Sequence, residues 1–578
     1  MTVSTRLARR ASALAATALA ALTTAAVTAA PASAQPKQPA QSTTDVRLIA
    51  FNDLHGNLEP PSGSSGRVTL SDGSTVNAGG AAYLATHVKR LRAQAKNSVV
   101  LSTGDNVGAS PTVSALFHDE PTIDLLNQLG VTASAVGNHE LDEGYQELLR
   151  LQHGGCHPTD GCQFDDRYTG SRWPYLAANM TFDNGVPATL PFTITFSGGV
   201  PIGIIGVPLE ELPTVVSADA IKGLKFGDEV AAINKYADLL DRVGVKSIAV
   251  LLHQGDNTEG GGPDDCRTTP GPATTIATQV SAKVDVVFSG HSHQQYVCTV
   301  TDPAGQPRPL IQGASFGRLL SVADLRIDRR TRDVVRSQTR AFNQIVTRDV
   351  PADKDAQALV DRAAAESAPI ANRQVGTISG DVVKQGAASG ESPLGDVIAD
   401  SQLAATQQTA GAQLALMNPG GVRADLSYAG SAAGEGDGVV TYGEAYTVQP
   451  FGNILQTVTM TGDQLKTVLE QQWQRQPDGS VQTRILQPSA SLHYTWSASA
   501  PIGSKVSDIT VAGQPVSPTG SYRVTINNFL SGGGDGFTEF TKATNLTGSG
   551  IDLDAFLAYL GANPNLAPPA LDRISTTA

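Results

Sequence analysis

Residues 134–142 read SAVGNHELD, and their last six, GNHELD, are an odd way to finish a buried strand. An apolar, strand-like run stops at Gly137 and is followed by three polar, metal-competent side chains, Asn138, His139 and Asp142. Four other stretches end in the same manner: VRLIAFND (46–53), SVVLSTGD (98–105), SIAVLLHQG (247–255) and VDVVFSGHSH (284–293). Each has four to six β-favouring residues running directly into Gly, Asn, Asp or His.

Amphipathic helical patterns lie between these runs, among them AAYLATHVKRLRAQA (81–95) and EVAAINKYADLLDRV (229–243). Apolar strands alternating with helices predict an α/β arrangement around a buried sheet, with ligands gathered at the carboxyl ends of the strands. Those ends supply Asp53, His55, Asp105, Asn138, His139, His253, His291 and His293. A single histidine after a strand is usually a solvated loop residue. Here five of the chain's ten histidines occupy such positions, which argues for one shared site. Imidazoles, carboxylates and an amide oxygen together suit borderline divalent ions such as zinc or manganese, whereas calcium or magnesium prefers oxygen alone. An aspartate shared by two ions about 3.5–4 Å apart is the arrangement of two-metal hydrolytic centres.

The chain has 578 residues and a net charge of −13. Arg6, Arg9 and Arg10, an Ala-rich run and the small-x-small pattern Ala32-Ser33-Ala34 read as a secretory signal peptide over 1–34. An uncleaved anchor over 11–30 is the competing reading. Residues 35–44, QPKQPAQSTT, read as a flexible tether. No later run reaches the roughly 18 apolar residues of a membrane span, so a secreted protein free of the membrane after cleavage is expected. Removal of the three leader arginines makes the charge more negative still, which disfavours nucleic acid as a partner. In an exported chain the four cysteines read most simply as two disulfides, Cys156–Cys162 and Cys266–Cys298, although three pairings are possible. A zinc site is the alternative, and it lacks any CxxC pair.

The strand–helix alternation marks a first domain over 45–345. PADKDAQALVDRAAAESAPIANR (351–373) is a charged, Ala-rich helical pattern, read as a connecting helix within a linker at 346–374. From 375 to 578 the pattern changes to α+β: a helix around PLGDVIADSQLAAT, a strand ALMNPGG, a strand-rich stretch GVVTYGEAYTVQPF (438–451), a helix TGDQLKTVLEQQW, and strands LHYTW, ITVAG and YRVTINNFL.

NDLHGN, GDN, GNHELD, LLHQG and GHSH resemble the five blocks of the calcineurin-like metallophosphoesterases. Together with the second domain, the chain is similar to the secreted 5′-nucleotidase, UDP-sugar hydrolase and 2′,3′-cyclic phosphodiesterase group. The resemblance implies a catalytic sheet sandwich flanked by helices and a C-terminal substrate-specificity domain. It also implies two divalent ions: one held by Asp53, His55, Asp105 and His293, the other by Asp105, Asn138, His253 and His291, with Asp105 as the bridge. His139 would face the phosphate, oriented by Asp142. The competing role for Asp142 is an N-cap before EGYQELLRL.

In the second domain NPGGVRADL (418–426) resembles the Asn-x-Gly-Gly-x-Arg segment of 5′-nucleotidases, which implies phosphate binding by Asn418 and Arg423. Read alone, it is a Gly-rich turn with a surface arginine. The family likeness further implies that Phe451 (QPFGN) and Phe529 (NFLSGGGDGF) sandwich a base while Asp535 accepts from ribose hydroxyls. Stacking of that kind tolerates any base. One departure stands out. Where these nucleotidases often carry another phosphate-binding arginine, SGESPLGD has Gly390 and Glu391. The expected function is a 5′-nucleotidase releasing phosphate and nucleoside, with cyclic phosphodiesterase or UDP-sugar hydrolase activity as same-class alternatives. A non-catalytic nucleotide-binding protein and a hydrolase of non-nucleotide esters are the rivals. A monomer with hinge motion between its two domains is expected.

Overall fold

The strand Thr43–Phe51 divides its buried side chains between two cores: Val46, Leu48 and Ala50 enter one, Ile49 and Phe51 the other. Successive side chains of a strand point to opposite faces, so a strand covered on both sides is apolar on both faces where it is buried. This is why the buried run LIAF (48–51) shows no alternation in sequence. The computed structural model describes residues 42–577 apart from 62, 217–219, 269, 431–433 and 476–479. The leader at 1–34 and the tether up to residue 41 therefore lie outside the described residues. Thr43 and Thr44, expected in the tether, instead open this first strand, paired with Asp328 and Ile327.

Two six-stranded sheets pack face to face. One runs in the order Arg340–Ile345, Leu319–Asp328, Thr43–Phe51, Ser98–Ser102, Val131–Ala135, Tyr175–Leu176. The other runs Gln295–Thr301, Pro307–Gly313, Val286–Ser289, Ser247–His253, Val200–Pro208, Phe192–Ser197. Leu48, Leu101, Ala133, Ile204, Leu251 and Phe288 are among the side chains filling the layer between them. Helices Ala81–Ala93, Glu120–Leu129 and Tyr145–His153 cover the outer face of the first sheet, and Glu229–Arg242 with Pro272–Gln279 cover the second. The strands ending at Phe51, Ser102 and Ala135 are parallel to one another, as are those ending at His253 and Ser289. The five polar strand ends consequently emerge at carboxyl termini.

Helix Lys354–Ala371 buries Ala356, Val360 and Ala363 in the helical layer of the first sheet and also touches the helix Tyr442–Val448 of the second domain. That domain holds a five-stranded sheet, ordered Gln487–Pro488, Leu414–Met417, Ser521–Asn527, Ile454–Thr461, Thr544–Ile551, and a four-stranded sheet that ends on Ile574–Thr577. The cysteines stand in two pairs at bonding distance, Cys156–Cys162 and Cys266–Cys298. Among the described residues no helix is long and apolar enough to cross a membrane.

The stretch 438–451 corrects the sequence reading. Only Val439–Thr441 is strand, and Tyr442–Val448 is a helix. Thr441 and Glu444 form a reciprocal capping box, which satisfies two N–H groups at the helix start and outweighs the β-favouring Val, Thr and Tyr around it. Likewise the strand expected through YRVTINNFL stops at Asn527, whose side chain caps the short helix Asn528–Ser531. Thr441→Ala is expected to cost about 1 kcal/mol, read from the urea transition of the second domain. An unchanged transition would show that the box does not hold this helix.

Candidate active site

The five strand ends converge. Asp53, His55 and His293 form one group whose ligand atoms lie within 4.8 Å of one another, and Asp105, His253 and His291 form a second. Asp105 stands between them: its Oδ2 is 3.7 Å from His55 Nε2 and 3.1 Å from His253 Nε2. Asn138 Oδ1 lies 3.1 Å from His253 Nε2 and 2.9 Å from His291 Nδ1. All seven residues proposed from the sequence as ligands are therefore in one cluster.

Backbone atoms aim these side chains. His55 Nδ1 lies 2.8 Å from the Gly108 carbonyl, and His253 Nδ1 lies 2.8 Å from that of Thr103. Protons on those nitrogens would leave both Nε2 lone pairs facing inward, the arrangement that metal-binding histidines require. The His291 N–H donates to Asp53, and the His139 N–H donates to Asp105 Oδ1 at 2.9 Å. Five of the seven, Asp53, His55, Asp105, His291 and His293, have left-handed φ between 47° and 67°. Such conformations are uncommon outside glycine and cluster at functional sites.

The electrostatics fit divalent ions. Burial lowers the pKa of His55, His293 and His291, the last to about 3, so these imidazoles are neutral and can ligate. Burial also works against charge on His253, yet Asp105 outweighs it and pushes this histidine up to about 9. Positive charge is favoured at the middle of the cluster. The mixture of imidazole, carboxylate and amide donors matches the chemistry of borderline metals.

His139 Nδ1 is 2.7 Å from Asp142 Oδ2. Burial opposes the imidazolium, but Asp142 and Asp105 prevail and its pKa lies above the ordinary histidine value. Asp142 is not the cap of the following helix: that helix is Tyr145–His153, and Gly144 occupies its N-cap. Gly108 makes room for the pair, since a Cβ there would lie 2.8 Å from His139 Cβ and 2.9 Å from Asp142 Oδ2.

Residues of the second domain reach this dyad. Phe451 stacks on His139, ring centroids 5.7 Å apart and planes 18° apart, and the Arg423 guanidinium sits 5.8 Å over the Phe451 ring. Burial lowers the Arg423 pKa even though Asp105, Asp142, Asp53 and Asp535 all act on it in the opposite sense. Asn418 is buried and donates to Asp535 Oδ2 at 3.0 Å. Phe529 packs over Gly534 and, like Phe451, is partly exposed rather than part of a hydrophobic core. Among the described residues no direct ring contact joins the two phenylalanines.

Three residues escaped the sequence reading. Glu140, inside GNHELD, is buried, and its carboxylate accepts from the backbone N–H groups of Asp105, Asn106 and Gly137 at 2.9, 2.8 and 2.6 Å. Burial and the nearby Asp105 push it up to about 7. Its signal was an acidic residue in the middle of an otherwise enclosed strand end. Arg484 Nε lies 3.5 Å from Asp535 Oδ1, and Lys384 Nζ donates to the Arg423 carbonyl at 3.0 Å. Nothing in their local sequence marked either one. Glu391, noted as a departure, faces elsewhere: it accepts from the N–H groups of Arg573 and Ile574 and so pins the last strand.

Residues 46–295 match the family described as calcineurin-like phosphoesterase, and residues 374–542 match the 5′-nucleotidase C-terminal domain. The chain is 32% identical over 554 residues to the cell wall protein Lmo0130 of Listeria monocytogenes, spanning 90% of this chain and 68% of that one. It is 31% identical over 497 residues to endonuclease YhcR of Bacillus subtilis, spanning 85% of this chain but only 37% of that longer protein. Among solved structures, a 5′-nucleotidase precursor from Thermus thermophilus superposes with a TM-score of 0.76 at 25% identity, covering 92% of this chain and 99% of that one. Fold and site define a metallophosphoesterase, an enzyme class that hydrolyses phosphoric esters and uses two divalent metals. Within that class the chain belongs to the 5′-nucleotidase family.

Replacing Glu140 by alanine strands three enclosed N–H groups, each bond to a carboxylate contributing roughly 1.5–3 kcal/mol. Glu140→Ala is expected to lose several kcal/mol in chemical unfolding, with Glu140→Gln retaining part of it. Wild-type stability in the alanine variant would remove the carboxylate from its proposed role.

Proposed function

We propose that this chain is an exported nucleotide phosphoesterase, acting first as a 5′-nucleotidase that releases phosphate and nucleoside. The observation that carries this reading is the stacking of Phe451, with Arg423 above it, on the His139 ring of the dyad. An aromatic face for a base and a cation for a phosphate thereby stand beside the metal-competent cluster.

Asp53, His55, Asp105 and His293 would hold one ion, and Asp105, Asn138, His253 and His291 the other, zinc or manganese by donor type. Bound ions supply Lewis acidity at the phosphoryl group and lower the pKa of water there. Asp142 fixes His139 Nδ1, which leaves Nε2 to donate to a phosphoryl or leaving-group oxygen. Arg423, with Asn418, would receive the remaining phosphate charge. Arg484 and Lys384 offer further cations near Asp535 and Arg423, where the family's additional arginine is lacking. Phe529 and Asp535 would meet the base and ribose after the second domain, 375–578, moves about the 346–374 linker relative to the catalytic domain, 45–345.

The leader pattern, the two cysteine pairs and the cell wall relative support export; a monomer is the simplest state. A second reading, cleavage of nucleic acid, is favoured by the endonuclease relative. The chain's negative charge weighs against it.

The test is a panel of 5′-AMP, ADP, a UDP-sugar, 2′,3′-cyclic AMP and single-stranded DNA, each assayed with added zinc or manganese. Phosphate release is expected to be fastest from 5′-AMP. His139→Ala should lower turnover about 10²-fold or more with folding retained, and Asp105→Asn by at least as much. Near-wild-type release from 5′-AMP in either variant would overturn the assignment, and faster turnover of DNA would replace it.

A further inference from the structure

A second cluster of imidazoles and carboxylates lies outside the strand-end centre. His118 and His157 are stacked, ring centroids 3.8 Å apart and planes 14° apart. A carboxylate oxygen stands at each edge of the stack. Asp160 Oδ2 is 2.8 Å from His118 Nε2 and 3.3 Å from His157 Nδ1, while Glu143 Oε2 is 3.4 Å from His118 Nδ1 and 3.8 Å from His157 Nε2. The ligand atoms of His118, His157 and Asp160 all lie within 4.8 Å of one another.

We propose that His118, His157 and Asp160 form a third metal site, for a divalent ion of the zinc class, with Glu143 at the opposite edge of the stack as the carboxylate against the histidines' outer nitrogens. Two imidazoles with one or two carboxylates are a donor set for such ions. The groups come from three separate segments, so their convergence is not a by-product of local chain geometry. His157 and Asp160 sit in the loop closed by Cys156–Cys162, whose Cα atoms are 4.4 Å apart, and paired backbone bonds between His157 and Gly161 stiffen it further. The Asp160 N–H donates to His157 Nδ1 at 3.2 Å, a bond that an ion at that edge would displace. The imidazoles are mostly covered, whereas Asp160 and Glu143 are 49% and 54% exposed, leaving an ion a path in and places for water ligands. Neither histidine belongs to the strand-end centre, and neither is needed for the phosphoesterase reading.

The site has a structural consequence. Glu143 directly follows Asp142, so an ion here ties the disulfide loop and the segment at His118 to the residue that holds His139.

The experiment counts metal per chain by mass spectrometry in full-length protein saturated with zinc and then desalted. The His118→Ala/His157→Ala variant is expected to carry one ion fewer than wild type, while Asp105→Asn keeps that ion and the combined variant loses it. Failure of the phosphoesterase reading leaves this difference intact, so the two proposals fail separately. His157→Gln and Asp160→Asn, on the exposed loop, give the same count should the double variant misfold by circular dichroism. Equal zinc content in wild type and in all folded variants overturns the site. So does a change confined to the pH dependence of stability, which identifies the cluster as a proton-sharing pair.

Discussion

A single buried carboxylate holds the catalytic end of the sheet together. Glu140 takes the N–H groups of Asp105 and Asn106 from one strand end and of Gly137 from the next, and Asn106 Nδ2 donates to it as well. These donors have left the sheet ladder and would otherwise be enclosed without partners, a cost comparable to that of a lost hydrogen bond each. With them satisfied, Asp105 is fixed between two groups of imidazoles. Gly137 completes the contact, because a Cβ on it would collide with Asp105 Oδ1. The six residues GNHELD therefore carry a close-approach glycine, a ligand-type amide, a dyad and the staple that positions Asp105.

The second domain meets this end through small, specific features. The helix Tyr442–Val448 packs against the first domain, where a Cβ on Gly443 would come 3.1 Å from Thr112 Oγ1. It leads directly into Phe451 at the dyad. Arg423 shares the field of carboxylates from both domains. The domain contact is thus polar as well as aromatic, and not a continuous apolar seam.

Much of the first domain was legible because its strands are covered on both faces. Strands of that kind write uninterrupted apolar runs, and their polar ends are then conspicuous. The ligand-type residues followed from that contrast, as did the His139–Asp142 spacing, although spacing alone could not separate a dyad from a helix cap. Glu140 was passed over because a charged side chain bonded mainly to backbone N–H groups leaves no partner visible in sequence. Arg484 and Lys384 were illegible for a related reason: their neighbours, Asp535 and Arg423, are remote in the chain. At 438–451 intrinsic β preference misled, since a capping box is a relation between two residues and not a property of either one. Glu391 stood out in the sequence as a departure, yet its place is set by contacts with the C-terminal strand 183 residues away.

Five of the strand-end residues pay for their position with left-handed backbone. At roughly 1–3 kcal/mol apiece, their combined cost is of the order of a whole domain's stability, about 5–15 kcal/mol. Glycine at Asp53, His55, Asp105, His291 or His293 would relieve that strain while deleting a metal-competent side chain. Selection for robustness alone would consequently erode this centre one residue at a time. A drift toward glycine at these positions in an otherwise intact chain would be the mark of a copy that has given up catalysis.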